Sequence, residues 1–279
     1  MQSLFYEKDY LKIQQHQDLK VIENEDLRII FSLDKDHAYS LPRGLFGSFA
    51  CKRCVSFDQF HEFWLEVKDE LCNEDISQVE ITHPPEIYDH FVPLNWLQEL
   101  GFGIKCTEIN HHIDLRSYQL HDMERRKLQK LTDMDFKVEK SRSLEDLQRI
   151  YPFIADCRNE KGLSVNISLE KLEYLFRAFP KQYFIFMGYL DNALVSALIA
   201  VEISEQVVYY YLPATVAAYK KHSPMVGLME TAIQYFMPYY DYLDLGVSSE
   251  GGIPQEGLVA FKERMGGIRS NKVVLKATI

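Results

Sequence analysis

The feature that most constrains this chain is the order of its apolar runs after residue 180. Tyr183–Leu190 and Ala193–Ile203 are separated only by Asp191-Asn192, a pair that suits a tight hairpin turn. Ser204-Glu-Gln206 turns the chain again, and Val207–Val216 reads as a third strand of the same meander. Pro224–Met237 then sets Met225, Leu228, Met229, Ala232 and Phe236 at helical spacing. Tyr242–Val247 reads as a short buried strand, Gly257–Met265 as a short helix broken by Gly266-Gly267, and Asn271–Ile279 as the strand that closes the sheet. A doubly wound parallel sheet needs a helix after every strand. Three strands in a row without one predict a mixed, largely antiparallel sheet flanked by helices, of the α/β (α+β) class.

The first part of the chain has a similar plan. Leu27–Leu33 predicts a strand, and Tyr39–Lys52 a second one interrupted at Pro42 and Gly44. Phe57–Cys72 is helical by the spacing of Phe57, Phe60, Phe63, Trp64, Val67 and Leu71. Ile76–Ile81 alternates and stops before Pro84-Pro85, Phe91–Leu100 is a short helix closed by Gly101, and Phe102–Leu115 is a long strand. Arg116–Thr132 is polar and helical, and reads as an exposed linker. Ser143 opens a helix through a capping box in which Asp146 replaces the usual Glu; Pro152 is expected to bend or restart it. Ser168 caps another helix. A chain of 279 residues has material for two cores, and the expected division is 1–120 and 121–279.

Charge narrows the partners. Residues 1–120 hold 11 basic and 21 acidic side chains, and residues 121–279 hold 20 of each, so the net −10 lies entirely in the first part. A DNA-binding protein needs a basic face, and this balance excludes DNA as the expected partner. No run of 18 apolar residues predicts a membrane span. The start shows no basic region followed by an apolar stretch, so a cytoplasmic location is the expectation. The five cysteines (Cys51, Cys54, Cys72, Cys106 and Cys157) are scattered and predict reduced thiols. Cys51 and Cys54 lack a second pair, and His111 and His112 face opposite sides of a strand, so no metal is expected.

Several segments of the second half resemble one family. Tyr242-Leu-Asp-Leu-Gly246, then Gly257 and Phe261-Lys-Glu-Arg-Met-Gly-Gly267, are similar to the C-terminal signature of the Fem-like acyltransferases. Lys220-Lys-His-Ser-Pro224 ahead of a helix and the Arg125-Arg-Lys127 segment match the same family. The resemblance covers roughly residues 120–270, and the first part only in layout. It implies two GNAT-like domains in tandem, with the donor site in the second. Relatives transfer amino acids from aminoacyl-tRNA to peptidoglycan precursors, and many are known only as acetyltransferases. One departure stands out: the Gly-rich pyrophosphate loop of ordinary GNAT proteins is replaced by Lys-Lys-His-Ser-Pro-Met-Val-Gly, which keeps only Gly227.

Ser223 is placed to cap the helix that Pro224 begins, and a helix N-terminus suits a phosphate. Lys221 with its neighbours adds positive charge, and Gly227 would let a ligand approach the backbone; the alternative is an ordinary capped helix after a basic loop. The resemblance adds Phe261 to the donor site and makes Lys262 a point charge near the acyl-transfer centre, against the alternative of a solvated lysine. It also makes Val207–Val216 the strand that receives the acyl group. Tyr211 is then a candidate to protonate the leaving group and Tyr209, on the same face, to contact substrate; plain core packing is the competing reading. Asp244, inside an apolar strand, reads as structural. Glu250, in a flexible loop, is the candidate base for the attacking amine. Arg43, in the turn-rich Leu41–Gly47 stretch, is the candidate for an acceptor carboxylate.

Together these predict an enzyme, an acyltransferase and by expectation an N-acetyltransferase. It would move an acyl group from acetyl-CoA or another acyl-CoA to a small or peptide-like amine by direct attack. A Fem-like transferase using aminoacyl-tRNA is the first alternative, disfavoured by the acidic first part. A non-catalytic GNAT-like binding module is the second.

Overall fold

The structure is a computed structural model and describes residues 3–14, 19–41 and 45–279. The chain begins α1 (Lys8–Leu11), β1 (Leu19–Glu23), β2 (Leu27–Asp34), β3 (His37–Ser40), β4 (Ala50–Cys51), α2 (Phe57–Cys72), β5 (Gln78–His83), α3 (Leu94–Glu99) and β6 (Gly103–Asp114). It continues α4 (Asp122–Asp133), β7 (Lys137–Ser141), α5 (Leu144–Asn159), α6 (Leu169–Ala178), β8 (Tyr183–Leu190), β9 (Ala193–Glu202) and β10 (Val207–Thr215). It ends α7 (Pro224–Phe236), β11 (Tyr242–Val247), β12 (Ser249–Glu250), β13 (Ile253–Pro254), α8 (Glu256–Arg264) and β14 (Ile268–Thr278). The residues group into two compact units. The first is Met1–Asn110, Val247–Gln255 and Ser270–Ile279; the second is His111–Gly246 and Glu256–Arg269.

The first unit has the strand order β1-β2-β3-β5-β14-β6, with β4 on β2. β3 and β5 run parallel, while β1–β2, β2–β3 and β5–β14 are antiparallel. α2 begins at a reciprocal cap: Ser56 N–H donates to Gln59 Oε1 at 2.9 Å, and Gln59 N–H to Ser56 Oγ at 3.3 Å. Its apolar stripe, Phe60, Phe63, Trp64, Val67 and Leu71, is buried against Ile29, Phe31, Phe49 and Ile81. The last strand departs from expectation. β14 pairs with β5, Val273 opposite His83 and Leu275 opposite Ile81, and buries Val273, Leu275 and Ala277 in the first core. Alternation in sequence reports that one face of a strand is buried, and leaves open which sheet it joins.

The second unit has the order β11-β10-β9-β8-β7. Its strands are antiparallel except β10 and β11, which run parallel. Asp191 and Asn192 both take positive φ, 49° and 63°, the conformation of a two-residue hairpin turn whose twist matches its strands. α7 packs on β8–β10 and supplies Leu228, Met229, Ala232, Ile233 and Phe236 to the core. At α5, Asp146 N–H donates to Ser143 Oγ at 3.1 Å. The helix is continuous through Pro152 and does not restart there. A proline there costs about 3 kcal/mol, whereas burying Leu147, Ile150 and Ile154 returns about 1.5–3 kcal/mol each. α4 is likewise not an exposed linker: it packs against α7 and buries Glu124 and Leu131. The sequence reading omits the short edge strands β1 and β7, because only Ile22 of β1 and no residue of β7 is buried, which leaves no alternating apolar pattern to read. No helix among the described residues is long and apolar enough to cross a membrane.

Candidate active site

A cleft of about 490 Å³ opens where the N-terminal ends of α7 and α8 meet. Ser223, Pro224, Met225 and Val226 form one side, and Gly257, Leu258 and Phe261 the other. Lys127, Lys161 and Lys220 line it as well. Lys161 is held below the ordinary lysine range, first by burial and then by the positive charge of Lys220. A phosphate bound there would relieve the repulsion that Lys161 feels from Lys220. Lys127 is fixed from behind. Its Nζ lies 2.9 Å from Glu124 Oε1, and the same oxygen accepts from Arg264 Nε at 2.7 Å. The Glu124 side chain is fully buried, so one carboxylate braces a cleft lysine and α8 together.

The helix end differs from the expected cap. Ser223 takes a left-handed conformation (φ 58°, ψ 42°), and its side chain makes no capping hydrogen bond. Its carbonyl accepts from Val226 N–H at 2.9 Å, and Pro224 has no N–H to offer. Gly227 is buried against Phe136: a Cβ there would lie 2.6 Å from the ring. The residue type is thus accounted for by packing. Lys221 is exposed and does not line the cleft; Lys220 does. Sequence reasoning missed Lys127, which lies in a segment read as linker, and Lys161, which carried no signal.

A second cluster forms at the end of β11, around Gly246 (φ +73°). Its N–H donates to Asp244 Oδ1 at 2.8 Å, and its carbonyl accepts from Lys262 Nζ at 2.7 Å. The Tyr209 hydroxyl lies so close that a Cβ on Gly246 would be 2.7 Å from it. Asp244 and Lys262 are both buried. His111 is nearby, its pKa lowered to about 4 by burial first and by the charge of Lys262 second.

β10 and β11 pair only at Val207–Tyr242, Val208–Leu243 and Tyr209–Asp244. Beyond Tyr209 the two strands part, and the register of β10 against β9 shifts between Tyr210 and Leu212, leaving Tyr211 as the extra residue. The rings of Tyr209 and Tyr211 lie 6.2 Å apart, while Tyr210 is buried with its hydroxyl 2.9 Å from Met225 Sδ. Burial raises the Tyr211 phenol to about 12 and keeps it protonated. The edge of β10 past Tyr209 is therefore open toward β11, with a phenol beside it.

Glu250 is exposed on the β12–β13 hairpin, which groups with the first unit. Ser249 Oγ donates to Glu108 at 2.5 Å and Gly252 N–H to the same carboxylate at 3.3 Å, which fixes the hairpin base. Arg43 lies outside the described residues. Among the described residues no group of three or more His, Cys, Asp or Glu is placed to hold a metal.

A family model described as acetyltransferase (GNAT) domain matches residues 121–261. No curated protein matches the sequence. Among solved structures, the crystal structure of FemX aligns with a TM-score of 0.70 over 99% of this chain and 92% of that one, at 13% identity. L-PGS from Bacillus licheniformis aligns at 0.66 over 96% and 91%, at 12% identity. A tandem GNAT protein from the clavulanic acid biosynthesis pathway aligns at 0.51 over 91% and 79%, at 10% identity. At these identities the likeness is one of fold: a mixed, mostly antiparallel sheet flanked by helices, shared with proteins some of which are tandem GNAT proteins.

Proposed function

The chain belongs to the GNAT acetyltransferase family, and from that premise we propose that it moves an acyl group from a phosphate-bearing donor to an amine. The observation that carries this reading is the lysine-lined cleft of Lys127, Lys161 and Lys220 at the start of α7. Acyl-CoA is the proposed donor. Its phosphates would be held by the lysines, its chain would lie along Pro224 and Phe261, and the acyl carbonyl would meet the β10 edge past Tyr209. The amine nitrogen attacks the acyl carbon as the bond to the donor breaks. Backbone N–H groups on the open edge stabilise the oxygen charge, the Tyr211 hydroxyl gives its proton to the leaving group, and the proton shed by the attacking nitrogen returns to the Tyr211 phenolate. Lys262 contributes by fixing the carbonyl of Gly246 at the end of β11.

A thermal-shift titration with CoA, acetyl-CoA and longer acyl-CoAs tests this reading, because a ligand of the native state raises the melting point. The expected result is a saturable rise that Lys127→Ala and Lys220→Ala reduce. No rise with any of these, or an unchanged rise in both variants, overturns it.

One observation favours a second donor, an aminoacyl-tRNA. Pro224 has no N–H and the N–H of Val226 is taken by Ser223, so the helix offers fewer backbone donors than a glycine loop. Lysine side chains suit the spread phosphates of RNA. A complex with charged tRNA that weakens steeply with salt would support it. Against it stands the excess of acidic side chains in residues 1–120.

A further inference from the structure

The first unit holds a cleft of its own, about 320 Å³, between the end of β5 and the segment leading into α3. His83 lines it and is nine-tenths buried, at 8% exposure. Its Nδ1 is engaged by Ser48 Oγ at 2.9 Å. Ser48 is itself fully buried and doubly held by Tyr6, whose hydroxyl donates to the Ser48 carbonyl and accepts from its N–H at 3.0 Å. The imidazole is thereby fixed, and its Nε2 takes up no hydrogen bond among the described residues. Nε2 is the ring atom left for something that enters the cleft.

The rest of the lining specifies what that is. Glu86 and Asp89 bring two exposed carboxylates, and among the described residues no lysine or arginine lines the cleft. Pro84, Pro85 and Pro93 present no backbone N–H, which leaves an anion fewer donors than an ordinary loop would, the Asn271 amide being one that remains. Their rings and Phe91 make an apolar wall. Burial holds the pKa of His83 at about 4, so the ring is neutral and does not repel a cation. The tautomer with Nδ1–H donating to Ser48 leaves Nε2 an acceptor. We propose that this cleft is a ligand site for a primary ammonium carried on an apolar stem. The ammonium donates to Nε2 of His83 and to the carboxylates of Glu86 and Asp89, while the stem lies on the proline and Phe91 wall. The binding claim stands on the cleft alone. Only a role for the bound amine as acyl acceptor rests on the function proposed above.

The test is isothermal titration of the full chain with hexylamine, hexanoate and hexanol, three probes that share a stem. Hexylamine is expected to saturate one site, with hexanoate and hexanol at least tenfold weaker. The Glu86→Gln/Asp89→Asn double variant, altered only at exposed positions, should lose about tenfold in hexylamine affinity for the charge-assisted contacts removed. His83→Gln should weaken it further. Absence of saturation, equal binding of hexanoate, or wild-type affinity in the double variant would each overturn the inference. CoA binding measured on the same preparations separates the two proposals. If hexylamine fails while CoA still binds, only the amine site falls; if CoA fails while hexylamine binds, only the donor site does.

Discussion

Lys262 reaches the carbonyl oxygen of Gly246, 2.7 Å away, from inside the protein: its side chain is buried, and its ammonium ties α8 to the end of β11. Lys262→Ala removes a hydrogen bond from a charged donor and should lower unfolding free energy by about 1.5–3 kcal/mol. Urea denaturation reads this directly. Turnover should fall along with stability, because Gly246 loses its anchor, while donor affinity stays near wild type. Unchanged stability would remove the ammonium from the structural role assigned here.

Glu124→Gln keeps the shape of the side chain and removes the charge that holds Lys127 and Arg264. Both cations keep 32% of their side-chain surface exposed, so the expected loss is about 1.5–3 kcal/mol. Donor affinity should weaken severalfold as Lys127 is released into the cleft. Calorimetric melting and donor titration on the same sample check the two effects together.

Tyr211→Phe should reduce kcat by about a hundredfold, the lower end for loss of a general acid, and leave the donor dissociation constant unchanged. Burial raises this phenol from 10.0 to about 12, so its proton is bound more tightly in the folded state. Its contribution to stability is complete below pH 10 and is lost as pH rises toward about 12. The pH–rate profile should show no limb from this group below about pH 10.

Gly227→Ala places a Cβ 2.6 Å from the Phe136 ring and should cost about 1–3 kcal/mol through overpacking. Donor affinity per folded molecule should be unaltered. A selective loss of donor binding at full stability would show that the position faces ligand.

His83 and His111 are both held near about 4, against an ordinary 6.5, chiefly by burial. Each is neutral when folded and gains a proton more readily when unfolded. Their contribution to stability is complete above pH 6.5 and is lost as pH falls through 6.5 toward about 4. Urea midpoints should decline across that interval, and His83→Gln should flatten the decline.

The meander and α7 were legible in the sequence because each carries its own signal: a turn pair at Asp191-Asn192, and an apolar stripe from Met225 to Phe236. α2 was legible for the same reason. The partner of β14 was not, since the alternation of Val273, Leu275 and Ala277 fits any sheet with one buried face. Ser223 and Phe261 line one cleft, and the signal that drew attention to them was the joint presence of a helix start and a second short helix. Lys161 and Lys127 come from elements far apart in sequence, so no local pattern could have joined them to Lys220. The left-handed Ser223 was hidden because serine before proline reads as an ordinary cap.

The pairing of β14 with β5 also sets a timetable for making the protein. Gln78 and Thr278, joined at one end of that ladder, are 200 residues apart. At about 5–20 residues per second a ribosome takes roughly 10–40 s to cover that interval. Throughout it, the strand bearing Val79 and Ile81 has an open edge where β14 will later dock. The first unit is thus begun before the second and completed after it, and its nascent β5 edge needs shelter from other chains until β14 has emerged.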